Sequence, residues 1–290
     1  MDKVSFILLG ISIFTHAYWN YLIKASGNKH VFTALSKLVE ACILIIPAIY
    51  FLNGTDFKPS FLLYITVASV ITFSNYFFVA NAYRLGTFIL TYPISRSSVL
   101  FLPVLSYLFI GERIDLTGII GVFFIVIGTF IMHLDPFTKA NLFSIFKTRK
   151  NKGTIYALLA AFTAAAYTLW DKVSLSEMKP FLYFSLYTII IACIYNIYCF
   201  TKFPKTKIRA EWIDCKYKII AVAVLNSFTY MLVLISLTKS KATYVGGMRQ
   251  LSVVVGAYFG YKFMDEKLGL PKLTGIGISI TGACLIYMAR

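Results

Sequence analysis

Charge is scarce in this sequence, and negative charge is scarcest. Only 12 of 290 residues are Asp or Glu, against 28 Lys and Arg; charged residues make up 14% of the chain and hydrophobic ones 59%. A soluble domain carries roughly 25% charged residues and about half apolar ones, so a water-surrounded globule is excluded. Long polar stretches are also missing. The longest loops expected, 134–152 and 202–218, are too short to house a soluble catalytic domain. Histidine occurs only at 16, 30 and 133, and the five cysteines (42, 193, 199, 215 and 284) form neither a C-x-x-C pair nor a Cys/His cluster. That pattern removes disulfide frameworks and zinc sites from consideration. With one carboxylate well inside an apolar run, no convergent acid–base or nucleophile set is visible. The expectation is a protein that is not an enzyme and uses no cofactor.

What the sequence does have is apolar runs of membrane-crossing length. A helix needs roughly 20 apolar residues to cross a hydrocarbon core about 30 Å thick, and ten such runs fit: Val4–Lys24, Val31–Leu52, Phe61–Arg84, Thr87–Ile110, Leu116–His133, Gly153–Lys172, Phe181–Thr201, Ile219–Leu237, Ala242–Phe263 and Gly269–Ala289. Backbone polar groups in lipid must be satisfied within the span, so an all-α membrane protein with ten transmembrane helices is expected. The first run lacks a small-x-small cleavage site and carries Trp19, Asn20 and Lys24, so it reads as a mature helix rather than a signal peptide. The net charge of +16 comes from loops such as "FKTRKNK" and "TKFPKTKIR". In this setting it points to anionic lipid headgroups as partner, and not to nucleic acid.

The chain repeats itself. "FTHAYWNYLIK" at 14–24 aligns with "FTAAAYTLWDK" at 162–172, an offset of 148, matching Phe, Thr and Lys without a gap. Glu112, Gly121 and Gly128 align with Glu266, Gly275 and Gly282 at an offset of 154, and Arg96 falls opposite Arg249 at 153. The division expected is a first five-helix repeat over 1–134, a basic linker over 135–152 and a second five-helix repeat over 153–290. Because five is odd, the second copy starts on the opposite face of the membrane, and an inverted repeat follows. Inverted repeats are typical of secondary transporters, which place their sites near the midplane between the repeats.

Each half ends in a short acidic motif followed by a Gly-rich helix, "FIGERIDLTGIIGVFFIVIG" and "FMDEKLGLPKLTGIGISITG". Two such halves resemble the EamA-type transporters of the drug/metabolite transporter superfamily. The resemblance covers essentially the whole chain. It implies a ten-helix bundle around a central cavity, moving small metabolites by alternating access, with both termini in the cytoplasm. The second copy departs from the first in having Gly246-Gly247 where the first has Pro93, and Asp265 where the first has Gly111.

An ionisable residue inside a span is a functional candidate by default, because a central Arg costs roughly 2.5–3.5 kcal/mol to insert. Arg96, in "TYPISRSS", lies nine residues into its expected span, about 14 Å at 1.5 Å per residue, and Arg249 stands in the corresponding place of the second half. A guanidinium fork suits a carboxylate or phosphate, so the pair reads as an anion site; the bland alternative is a guanidinium bonded to backbone carbonyls at a helix break. Pro93 and Gly246-Gly247 are the expected breaks, and broken helices at matching places point to a binding site. Further substrate-binding candidates are His16, Trp19 and Asn20 on the first helix, Asn75 and Tyr76 on the third, Tyr167 and Trp170 on the sixth, Asn226 and Tyr230 on the eighth, and Gln250 on the ninth. Trp19, Tyr167 and Trp170 could wall a ring or ammonium group. His16 and Glu40 are the proton-coupling candidates, although Lys37 and Glu40, three residues apart, also read as a structural ion pair. Glu112 and Glu266 suit the N-termini of the last helices of the two halves.

The activity expected is transport of a small anionic or zwitterionic metabolite of the amino-acid or organic-acid type, with a coupling proton or an exchanged substrate, by a monomer or homodimer in the cell (plasma or inner) membrane. Alternatives are a flippase for a phosphorylated lipid carrier and an exporter of cationic drugs; the latter lacks the carboxylate it would need in the first helix. Orientation is disputed within the sequence itself. The loops away from the termini hold 17 Lys and Arg and the termini side holds 8. The positive-inside rule would therefore place both termini outside, against the family resemblance.

Overall fold

The computed structural model of the chain describes residues 1–24, 27–86, 91, 94–132, 152–263 and 269–289. Pro93, Asp265, Glu266 and nearly all of the expected linker lie outside the described residues. Among the described residues there are eleven helices: α1 Lys3–Lys24, α2 Lys29–Asn53, α3 Ser60–Leu85, α4 Ser98–Ile110, α5 Leu116–Met132, α6 Lys152–Ser174, α7 Pro180–Lys202, α8 Lys205–Lys239, α9 Ala242–Gln250, α10 Ser252–Phe263 and α11 Leu270–Met288. Seven of them (α1, α2, α3, α6, α7, α8 and α11) are long and apolar enough to cross a membrane, and Ile94–Ile110 and Leu116–Met132 form shorter apolar helices. Large apolar side chains such as Ile46, Phe109 and Leu270 face outward, at 72–76% exposure. A water-soluble protein would hide such surface; a lipid-facing one presents it.

The packing pairs α5 with α11, α3 with α6, α2 with α7 and α1 with α8. The α5–α11 contact is the most extensive, and glycine makes it possible. A Cβ on Gly121 would lie 2.7 Å from the Gly282 carbonyl oxygen, and one on Gly282 would lie 2.6 Å from the Gly121 carbonyl oxygen. Gly128 and Gly275 meet in the same way one contact along. Small residues let backbones approach where lipid offers no hydrophobic drive for helices to associate.

Two elements differ from the sequence expectation. Residues 205–218, expected as loop, are helical and continuous with the eighth run in the 35-residue α8. At 1.5 Å per residue it is about 52 Å long, well beyond the bilayer core. Its extension is amphipathic: Ile208, Glu211, Cys215 and Ile219 are buried at helical spacing, with charged residues between them, so hydropathy alone misses it. Glu211 accepts bonds from the amides of Gly27 and Asn28 at 3.2 and 2.8 Å, fastening the extension to the start of α2.

The ninth run is interrupted, but not at its glycines. Gly246 and Gly247 lie inside α9, and the break falls at Leu251. The glycines serve close approach instead: a Cβ on Gly246 would strike Leu102 of α4, and one on Gly247 would lie 2.7 Å from Cδ1 of Ile286 on α11. At Leu251 the ladder tightens, with the Leu251 amide bonding the Met248 carbonyl and the Val254 amide bonding the Leu251 carbonyl. The fourth run has the same turn at Ser97, whose amide bonds Ile94 O while Leu100 N bonds Ser97 O. The two turns are 154 residues apart. In that register Arg96 corresponds to Gln250, and Ser95 to Arg249.

Gly111, at φ 65°, ends α4 in a left-handed turn, where an L side chain would be strained. Glu112 follows, and its Oε1 accepts from the amide of Ala242 at 2.9 Å, capping α9 rather than α5. The N-terminus of α5 is served by Asp115, which accepts from Gly118 N at 3.3 Å and from the Tyr244 hydroxyl at 2.6 Å. Lys172, in electrostatic contact with Glu112, donates to the carbonyls of Leu237 and Ser240 at 2.5 and 2.9 Å, closing the end of α8. We expect Glu112→Ala to lower stability by about 1–2 kcal/mol, the scale of a charge-assisted bond at a helix start, read as a lower melting temperature in detergent.

Candidate functional site

Apart from Glu211, the buried charged side chains among the described residues fall into two separate networks. The first joins α2, α3 and α8. Lys37 Nζ lies 2.7 Å from Glu40 Oε2, and Glu40 Oε1 accepts from Asn226 Nδ2 at 2.8 Å and Ser227 Oγ at 3.0 Å. Lys37 Nζ also stands 5.7 Å from the Tyr76 ring centroid. Both carboxylate oxygens of Glu40 are therefore engaged, and three candidates (Glu40, Tyr76 and Asn226) form one closed cluster with Lys37.

The second network joins α6, α7, α8 and α9 around Arg249. Its guanidinium carbon stands 5.3 Å from the Tyr230 ring centroid and 5.9 Å from that of Tyr167. Tyr230 is fixed from behind. Its hydroxyl donates to Asp171 Oδ2 at 2.5 Å, while the Tyr183 hydroxyl donates to Asp171 Oδ1 at 2.8 Å. Asp171 is 2% exposed and interacts electrostatically with Arg249. Tyr187 packs against both Tyr183 and Tyr230, its ring centroid 4.9 and 6.4 Å from theirs. The result is a cation seated on two aromatic rings, one of them tied to a buried carboxylate.

Arg96 enters from the other break. His16 on α1 lies within electrostatic reach of both Arg96 and Arg249, so the three candidates from the first, fourth and ninth runs face a common region. Gln250 Nε2 donates to Ser98 Oγ at 3.4 Å, bridging the two breaks. Arg96, Ser97, Val126, Thr129, Phe130 and Gln250 line a gap with no room for a water molecule. Ligand pockets run to about 300–1,000 Å³, so the site is closed in this conformation. A roomier cavity of about 460 Å³ lies elsewhere, among Leu35, Leu38, Val39, Cys42, Ile43 and Trp212. Its lining is largely apolar and carries no charged side chain.

The other candidates do not all join this centre. His16 stacks edge-on against Trp19 at 4.8 Å, and Asn20 donates to the His16 carbonyl at 2.7 Å. Trp19 Nε1 is buried without a hydrogen-bond partner. Asn75 donates to Ala160 O and Thr163 Oγ1 at 2.7 and 3.1 Å, and Trp170 Nε1 donates to Tyr64 O at 2.9 Å. Both are crosslinks between α3 and α6, so the aromatic wall of Trp19, Tyr167 and Trp170 is not assembled as one surface.

Asp171 escaped the sequence reading because it stands beside Lys172 at the expected end of a span, where a charge is unremarkable. The available signal was its position four residues after Tyr167, on the same helix face. Its tyrosine partners come from 12 and 59 residues away and carry no local signature.

No curated protein matches the chain. A solved structure titled only "Crystal structure of protein" has the same fold, with a TM-score of 0.74 at 13% identity over 98% of this chain and 96% of that one. Residues 151–288, which run from the start of α6 to the end of α11 and include Asp171, Tyr230 and Arg249, match the model of the EamA-like transporter family. This stretch, just under half of the chain, resembles EamA-like transporters, and together with the apolar helices of membrane-crossing length it marks a multi-pass membrane protein.

Proposed function

We propose that this protein moves a small anionic or zwitterionic metabolite, of the amino-acid or organic-acid type, by alternating access between two inverted five-span halves. The observation that carries the reading is that Arg96 and Arg249, each beside one of two matching helix breaks, both lie within electrostatic reach of His16 on α1. Two guanidinium groups held in a low-dielectric interior offer a carboxylate more than they could in water. The ten-span, two-fold arrangement is supported by the packing. Exchanging each span of one half for its mate in the other turns the α1–α8 contact into the α6–α3 contact and leaves α2–α7 and α5–α11 unchanged, and all of these contacts exist. An even number of crossings puts both ends of the chain on one face. In keeping with that, the amino group of Met1 donates to the carbonyl of Ala289 at 2.7 Å. The closed space at Arg96 fits an occluded stage of the cycle, with the halves parting to admit substrate. We place both termini in the cytoplasm, and a reporter fused after Arg290 tests that placement.

A thermal-shift screen of the purified protein against amino acids and organic acids identifies ligands, since whatever binds the native state raises its melting temperature. Arg96→Gln and Arg249→Gln are then compared with wild type in proteoliposomes. Loss of one charge-assisted fork is worth about 1.5–3 kcal/mol, so binding should weaken about 10- to 150-fold. Unchanged transport of every anion tested would overturn the anion site. Transport of a phosphorylated lipid carrier in place of soluble metabolites would favour the flippase.

A further inference from the structure

Asp171 is a buried charge that an anion site does not require. It lies behind Tyr230, whose hydroxyl it holds and whose ring seats Arg249 at 5.3 Å, and it is the buried carboxylate in electrostatic reach of that guanidinium. We infer that Asp171 is the resident counter-anion of Arg249 and takes up one proton each time a substrate carboxylate replaces it there. This inference rests on the anion-site reading above.

The argument is one of charge balance in a medium that penalises unpaired charge. Lys37 and Glu40 cancel each other within their own network. Around Asp171 the facing groups are Tyr167 on its own helix, Tyr183 and Tyr187 on α7, Tyr230 on α8 and Arg249 on α9. Arg249 is the cation among them, and Lys172 is committed to the carbonyls of Leu237 and Ser240. When a substrate carboxylate pairs with Arg249, Asp171 is left as a buried carboxylate held by two tyrosine hydroxyls without its guanidinium partner. A buried charge deprived of its partner costs several kcal/mol, and neutralisation relieves that cost. The proton comes from the aqueous phase and adds to a carboxylate oxygen of Asp171. No other bond changes, and a tyrosine hydroxyl can rotate to accept it. One proton then accompanies each substrate: a monoanion moves without net charge, and a zwitterion carries one positive charge per turnover. His16, which faces both arginines, is the competing proton site.

The test uses reconstituted full-length protein and four probes: L-threonine, L-glutamate, lactate and succinate. Wild type is expected to take up one proton per probe bound, read with a pH indicator, and to gain a protonated-carboxyl band in infrared difference spectra. An imposed proton gradient should stimulate its uptake about tenfold. Asp171→Asn should still exchange probe in counterflow, while losing the infrared band and the gradient stimulation. His16→Gln, whatever its effect on transport, should retain the infrared carboxyl band. Gradient-stimulated uptake retained in Asp171→Asn, or probe binding by wild type without proton uptake, overturns the inference. Should Asp171→Asn fail to fold, Tyr230→Phe serves: it removes one bond to Asp171, keeps the ring under Arg249, and should displace the pH profile of uptake. Failure of the underlying reading looks different. There Arg249→Gln keeps normal counterflow, or wild type binds none of the probes.

Discussion

Replacing Lys37 by methionine is expected to destabilise the protein by about 3–5 kcal/mol, because it strands a buried carboxylate. Glu40 is 1% exposed, and its Oε2 has Lys37 at 2.7 Å. Asn226 and Ser227 would remain on Oε1, but neutral donors do not cancel a charge in a low-dielectric interior. The double variant Lys37→Met/Glu40→Leu should recover most of the stability, since an apolar pair of similar volume often matches a buried ion pair. Unfolding in SDS, followed by far-ultraviolet circular dichroism, reads all three. A Lys37→Met protein as stable as wild type at neutral pH would show that water reaches Glu40.

Gly128→Leu is expected to cost 3 kcal/mol or more, above the usual 1–3 kcal/mol for overpacking. A Cβ at Gly128 would lie 2.5 Å from the Gly275 carbonyl oxygen and would strike Ser279. The obstacle is backbone, which cannot rotate aside as a side-chain tip can. Accommodation means parting α5 from α11 along their whole contact. Gly277 supplies the control. It lies on the same α11 with nothing within 4 Å of an added Cβ, so Gly277→Ala should change stability by less than about 1 kcal/mol. Melting temperatures in one detergent compare the pair. Equal tolerance of the two substitutions would mean that the α5–α11 contact does not depend on close backbone approach at Gly128.

Both predictions draw on features of unequal visibility. Lys37 and Glu40 advertise themselves as two charges three apart in an apolar run, and helical spacing alone puts them on one face. The matched glycines of the two halves can be read off as a repeat, but that Gly121 meets Gly282 and Gly128 meets Gly275, crosswise, depends on the two helices packing antiparallel. Gly246-Gly247 illustrates the opposite case. As residues they suggest a broken helix; in the fold their missing side chains admit Leu102 and Ile286, and the break lies at Leu251. Glu112 likewise reads as a cap for the helix that follows it, and the chain turns at Gly111 to deliver it to α9 instead.

Composition and period by themselves determined that this is an all-helical membrane protein, where its apolar runs fall, and that charges at 37, 40, 96 and 249 are costly exceptions. Lipid imposes those conclusions locally, residue by residue, because every span must satisfy its own backbone and every charge in it must be accounted for. Which exceptions stand together was decided only by tertiary structure. Arg249 finds its aromatic seat and its counter-anion on α6 and α8, and Asp171 looks like an ordinary helix end until α7 and α8 close over it. Partnership between charges is a matter of distance in space, and spacing along one helix cannot report the face another helix brings to it.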